Sequence, residues 1–279
     1  MSQLRQTWIG TSWKMNKTQD EAASYLAELG DWLDTCELDA AIAIFPPFTA
    51  LPTAAAQLAA SGTPAGPALQ LGAQNMHWQP GGAQTGEISA EMLLDCGVSV
   101  VEIGHYERRT YHGETDRSVN LKTRAAIAAD LETVICVGDT ADDSQFGVAA
   151  ETVARQVKIA LRGLPAQALS SVVLAYEPGW AIGADGEQAE PAGVEAMHRV
   201  IRTAVRQSHG QEAAELVRVV YGGSADAASA GGYAEETTID GLFVGRAALT
   251  AAGFIAVIEQ FCAARPTAPR QLTCKGNRT

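Results

Sequence analysis

The chain lacks the glycine signatures of nucleotide binding. No two of its 27 glycines stand two apart, so G-x-G-x-x-G is absent, and no stretch fits G-x-x-x-x-G-K-[ST]. No H-E-x-x-H occurs either. Nicotinamide, ATP and zinc-protease readings therefore lose their sequence support. Cysteine is sparse: Cys36, Cys96, Cys136, Cys262 and Cys274 are an odd number, with no C-x-x-C. That fits reduced thiols in a cytoplasm better than a disulfide framework or a zinc site. No apolar run approaches the roughly 18 residues of a transmembrane helix. The first seven residues have no signal-peptide apolar block. Positive charge is in deficit, 20 Lys and Arg against 32 Asp and Glu, for a formal net charge of −12. That balance argues against nucleic acid or an anionic membrane as partner.

What is present is a regular alternation over 279 residues, 47% of them apolar. Eight short apolar runs read as strands: Gln6–Thr11, Ala41–Phe45, Leu69–Asn75, Ser99–Ile103, Thr133–Val137, Ser171–Tyr176, Val217–Tyr221 and Ile239–Val244. They are apolar on both faces, as in a parallel sheet covered on both sides. Helical periodicity lies between them, for example at Asp20–Leu33, Gly147–Leu161 and Gly193–Val205. Eight βα units of roughly 33 residues predict a single-domain α/β fold, a (β/α)8 barrel over residues 1–264. A doubly wound sheet is the alternative on pattern alone. Ser61–Pro67 reads as a surface loop. Residues 265–279 carry four basic side chains and no acid, and are expected to form a poorly ordered tail.

Barrel enzymes build their sites just after the strands. There the sequence places Ser12-Trp13-Lys14-Met15-Asn16, Gly104-His105-Tyr106-Glu107-Arg108-Arg109, Glu177-Pro178-Gly179-Trp180, Gly222-Gly223-Ser224 and Gly245-Arg246. Each alone has an ordinary explanation, such as a solvated loop lysine or a helix-start histidine. Together they put a cation, an imidazole, a carboxylate and anion-binding backbone on one rim. Glu177 then suits a general base acting on carbon beside a carbonyl. Lys14 suits stabilisation of the developing oxyanion. His105, at a helix start, is expected to stay neutral and pass a proton between adjacent oxygens. No metal or organic cofactor is needed for this enediol route. Backbone N–H groups of Gly183, Ser224 and the Gly245 region suit a phosphate dianion. Pro178–Glu190 has the glycine content of a mobile lid.

These motifs resemble the triosephosphate isomerase family, from about Trp8 to about Phe261. Further matching stretches are Gly113-Glu114-Thr115-Asp116, Trp180-Ala181-Ile182-Gly183, Tyr221-Gly222-Gly223-Ser224 and Asp240-Gly241. The resemblance implies a cofactor-independent isomerase in which Lys14 is the electrophile, His105 the proton shuttle and Glu177 the base. It also implies a homodimer, through a loop around Thr85 that continues into Gly86-Glu87-Ile88-Ser89.

Five departures fall on the same rim. The family usually has Asn at Ser12, Ser at Tyr106 and Val at Gly179. Its lid usually reads Gly-Thr-Gly-Lys-Thr-Ala, where this chain has the longer Gly183-Ala184-Asp185-Gly186-Glu187-Gln188-Ala189. A Gly-Gly pair is replaced by Gly245-Arg246. Unchanged reacting groups inside a changed wall suggest the same chemistry on another substrate. Ser12 frees room for one hydroxymethyl, Tyr106 reshapes the wall, and Arg246, with Gly222 and Gly223 nearby, is placed to meet phosphate. The pattern looks like the family's tetrulose-phosphate branch, which implies conversion of L-erythrulose 1-phosphate to D-erythrulose 4-phosphate in tetritol breakdown. The alternatives are a glycolytic triosephosphate isomerase with drifted loops and a non-catalytic sugar-phosphate sensor.

Overall fold

A computed structural model of the chain describes residues 5–60, 69–183, 186–265 and 272–274. Eight parallel strands close into a barrel in strict chain order. We number them β1 Thr7–Ser12, β2 Ala40–Phe45, β3 Leu69–Ala73, β4 Val100–Ile103, β5 Glu132–Val137, β6 Val172–Tyr176, β7 Arg218–Tyr221 and β8 Gly241–Val244. The barrel closes where β1 pairs with β8, Trp8 lying opposite Gly241. The doubly wound alternative is thereby excluded.

Alternation along the strands divides the core in two. Trp8, Ala41, Ala43, Phe45, Val100, Val134, Cys136, Val173, Ala175, Val220 and Phe243 form a buried cluster of their own, the barrel interior. Trp8, Phe45 and Phe243 plug it, with ring centroids 5.3–6.3 Å apart. Gly10 makes room for that plug, because a Cβ there would sit 2.3 Å from the Trp8 ring. The opposite strand faces pack on helices in a second, larger cluster that includes Ile9, Leu26, Ile42, Val101 and Val205.

The helices begin and end where the sequence supplies caps. Gln19–Thr35 opens on a capping box between Thr18 and Glu21. Pro191–His209 has its proline in the first turn and ends at Gly210, φ 90°. The stretch expected at Gly147–Leu161 forms the shorter helix Ala149–Ala160, and the one expected at Gly193–Val205 lies within the longer helix Pro191–His209.

β3 stops at Ala73, two residues short of expectation. Gln74 has turned to donate its side-chain amide to the carbonyls of Phe45 (2.9 Å) and Lys14 (3.1 Å). A short antiparallel pair, Cys36–Leu38 with Leu272–Cys274, was not foreseen. Arg265, assigned to the tail by its charge, is buried at the end of helix Ala251–Ala264 and donates to the Ile239 carbonyl. Residues 266–271 and 275–279 of the tail and the Ser61–Pro67 segment lie outside the described residues.

Candidate active site

Three turns at the C-terminal ends of the strands bring Lys14, His105 and Glu177 together. Lys14 has φ 54°, a left-handed backbone that costs a non-glycine residue roughly 1–2 kcal/mol. Neighbours enforce it. Trp13 N–H donates to the Phe45 carbonyl at 3.0 Å, Asn16 Nδ2 to the Trp13 carbonyl at 2.7 Å, and Gln74 holds the Lys14 carbonyl. The strained turn aims the ammonium at Glu107 Oε1, 2.7 Å away.

His105 follows Gly104, whose φ of 78° turns the chain out of β4. Arg109 pins that turn, donating to the carbonyls of Gly104 (2.8 Å) and Cys136 (3.3 Å) while pairing with Asp116 at 2.7 Å. The ring caps the short helix Tyr106–Tyr111, and Nδ1 accepts the Glu107 N–H at 3.1 Å. A nitrogen that accepts carries no proton, so the proton of the neutral ring sits on Nε2. Burial, then the charges of Lys14 and Arg108, lower the His105 pKa to about 3. The imidazole is therefore neutral, with an N–H facing Glu177 Oε1 at 3.5 Å.

Glu177 is fully buried at the end of β6. Its N–H donates to the Val137 carbonyl at 2.8 Å, and its Oε2 accepts the Tyr106 N–H at 3.0 Å. Burial raises its pKa to about 7, against the opposing pull of the Tyr106 N–H and the Lys14 charge. The neighbouring Gly222 must be bare, since a Cβ there would stand 2.8 Å from Glu177 Cγ. A carboxylate poised near neutrality beside an uncharged imidazole and an ammonium is suited to moving protons on carbon and oxygen without a metal.

A cavity of about 570 Å3 opens over these three groups and is also lined by Ser12, Gly183, Gly222, Gly223, Ser224, Gly245 and Arg246. Two sequence expectations change. The Ser224 N–H, expected to face phosphate, donates to the Ala181 carbonyl at 3.1 Å. Tyr106, expected to reshape the substrate wall, is absent from the lining of this cavity. Its ring lies instead against Gly179. Of the expected lid, Ala184 and Asp185 lie outside the described residues.

Sequence reasoning missed Glu102. This fully buried acid sits on β4, with Oε1 3.9 Å from His105 Nε2. Its other oxygen has no hydrogen-bond partner among the described residues. Burial and the Glu177 charge raise its pKa well above the ordinary carboxylate range. A charged residue inside Val100-Val101-Glu102-Ile103, three before the histidine, was the available signal. Glu102, His105 and Glu177 offer potential metal-ligand atoms within 4.8 Å of one another. The histidine presents an N–H there and not a lone pair, which suits proton transfer better than metal binding.

The model of the family described as triosephosphate isomerase matches residues 7–261. The chain belongs to the triosephosphate isomerase family and is an isomerase of sugar phosphates. It is 40% identical over 256 residues to the triosephosphate isomerase of Alkaliphilus oremlandii, covering 92% of this chain and 100% of that protein. It is likewise 40% identical to the L-erythrulose-1-phosphate isomerase of Mesorhizobium japonicum, over 258 residues, 92% of this chain and 98% of the relative. The Rhizobium meliloti protein of the same name matches at 40% over 254 residues, 91% of this chain and 96% of that one.

Proposed function

We propose that this chain interconverts L-erythrulose 1-phosphate and D-erythrulose 4-phosphate, with Glu177 as base, His105 as proton shuttle and Lys14 as electrophile. Glu177 takes the proton from C3, and the released electron pair forms the C2=C3 bond while the carbonyl oxygen gains negative charge. The Lys14 ammonium stabilises that charge. His105 gives its Nε2 proton to the oxygen on C2 and takes the hydroxyl proton from the oxygen on C3. Glu177 returns its proton to C2, leaving the carbonyl at C3. Gly183, Gly223, Gly245 and Arg246 face the phosphate. Closure of the Pro178–Glu190 lid over the intermediate excludes water and restrains loss of phosphate.

The observation that carries the substrate assignment is the space beside Ser12. A second cavity of about 190 Å3, lined by Glu102, Gln74 and Asn75 among others, shares Ser12, Lys14, His105 and Glu107 with the main one. Serine in place of the family's larger asparagine leaves room there for the one group a tetrulose adds to a triose. Identity favours neither substrate, since relatives named triosephosphate isomerase match at 38–43% and those named L-erythrulose-1-phosphate isomerase at 40%. That similarity is what keeps triosephosphate isomerisation as the second reading. Pockets discriminate one such group by about 1–3 kcal/mol unless hydrogen bonds are built for it, so residual triose turnover accompanies the main activity. Purified protein is expected to show a kcat/KM for L-erythrulose 1-phosphate well above that for glyceraldehyde 3-phosphate. The reverse ranking overturns the assignment in favour of the triose enzyme.

The same reading includes a cytoplasmic homodimer. Residues 78–87, around Thr85, are exposed throughout, and Met15, next to Lys14, is 98% exposed. An apolar side chain so placed at the site's edge suits burial by a second copy. Light scattering at micromolar concentration is expected to give twice the chain mass; a monomer mass overturns the dimer.

A further inference from the structure

We propose that the Tyr106 ring is a positioning element for Glu177, seated on the bare face of Gly179 so that the chain on either side of the base is fixed. The proposal concerns the isomerase chemistry itself and is independent of which sugar phosphate is preferred.

Tyr106 touches the base region twice. Its backbone N–H holds Glu177 Oε2 at 3.0 Å. Its ring occupies the space a side chain at residue 179 would fill: a Cβ there would stand 2.4 Å from Tyr106 Cε2 and 2.9 Å from Cζ. Gly179 is held from below, its N–H donating to the Asp139 carbonyl at 2.8 Å. The buried Asp139 side chain also takes the Tyr176 hydroxyl at 2.8 Å and the Trp180 indole N–H at 3.4 Å. Residues before and after Glu177 are thus tied to Asp139, while the Tyr106 ring closes the remaining side. The absence of Tyr106 from the cavity lining fits this role and not a substrate contact.

Packed side chains do not compress, so volumes at 106 and 179 are exchangeable only against each other. A ring at 106 demands glycine at 179; a small residue at 106 admits a side chain at 179. Two of the five rim departures, Tyr106 and Gly179, become one change. The consequence is kinetic, because displacing a reacting group by about 1 Å costs on the order of 100-fold in rate.

The test is a double-mutant cycle on the full chain, assayed with whichever of the two sugar phosphates it turns over faster. Gly179→Ala is expected to lower kcat by about 100-fold with KM within about threefold. Tyr106→Ala, which removes the stop, lowers kcat by about tenfold with KM similarly steady. Tyr106→Ala/Gly179→Ala returns to the level of Tyr106→Ala, well above Gly179→Ala alone. Thermal unfolding checks that each variant is folded. Parent-level kcat in either single variant overturns the proposal, as does a double variant whose loss is the product of the two. If Gly179→Ala does not fold, a folded and active double variant still supports the exchange, and an unfolded one overturns it.

Discussion

The two ends of the barrel treat buried charge in opposite ways. Below β8, Asp240 is completely buried and surrounded by partners. Arg5 donates to both of its oxygens at 2.9 and 3.0 Å, and Arg202 and the Val219 N–H (2.8 Å) share Oδ2. Arg265 stands 3.8 Å away. At the opposite rim, Glu177 and Glu102 are as deeply buried but hold few partners, and Lys14 sits on strained backbone. A buried charge that is fully paired holds structure together. One left short of partners has its proton affinity displaced and is available for chemistry. In barrels generally, the lower face is where such charges serve stability and the upper face where they react.

The largest expected effect breaks the rim and spares the opposite end of the barrel. Glu177→Gln keeps the shape and still accepts the Tyr106 N–H, but cannot take a proton from carbon. It should lower kcat by on the order of 10²–10⁴-fold, while substrate KM and unfolding midpoint change little. Retained turnover would remove Glu177 from the role of base. The converse substitution is Asp240→Ala. It strands three guanidinium groups and should cost about 3–5 kcal/mol, lowering the midpoint of thermal unfolding by roughly 10 °C. Below that midpoint kcat should be unaffected. A variant with parental stability and impaired kcat would mean the two ends are not separable.

The fold was legible because both strand faces are buried. β2 and β4 to β7 start or end within one residue of their sequence expectation, since an apolar run terminates where its burial does. The rim positions of Lys14, His105 and Glu177 were legible because each lies within two residues of a strand end and so reaches the rim whatever the longer loops do. What stayed hidden depends on contacts between distant residues. Gln74 ends β3 by reaching Phe45 and Lys14. The Ser224 amide is occupied by Ala181. Tyr106 and Gly179 each read as separate departures, and only folding places the ring on the glycine. Glu102 was passed over because a strand position conceals whether a lone acid points into the barrel or away from it.

The smallest effect separates the two ends by titration. Burial raises the Glu177 pKa to about 7 and lowers that of His105 to about 3. As the proposed base, Glu177 must be ionised to act, so kcat/KM should fall tenfold per pH unit below about 7, with a slope of one. His105 is neutral throughout and adds no second slope between pH 6 and 7. Below about 6 the substrate phosphate, which titrates there, steepens the profile. A slope of two between 6 and 7, or a limb only near 4.5, contradicts the assignment. The linkage to stability runs the other way. A carboxyl whose folded pKa lies above its unfolded value favours folding fully below about 4.5, and that contribution is lost as pH rises through about 7. Activity should therefore appear over the pH range in which the Glu177 contribution to stability disappears. Glu177→Gln should abolish this dependence while the Asp240 cluster remains intact. Unfolding free energies of parent and variant, measured between pH 5 and 8, should converge toward the acid end and separate in favour of the variant above 7. Parallel curves would mean that Glu177 ionises in the folded protein as it does in the unfolded chain, and the contrast between the ends of the barrel would lose its electrostatic basis.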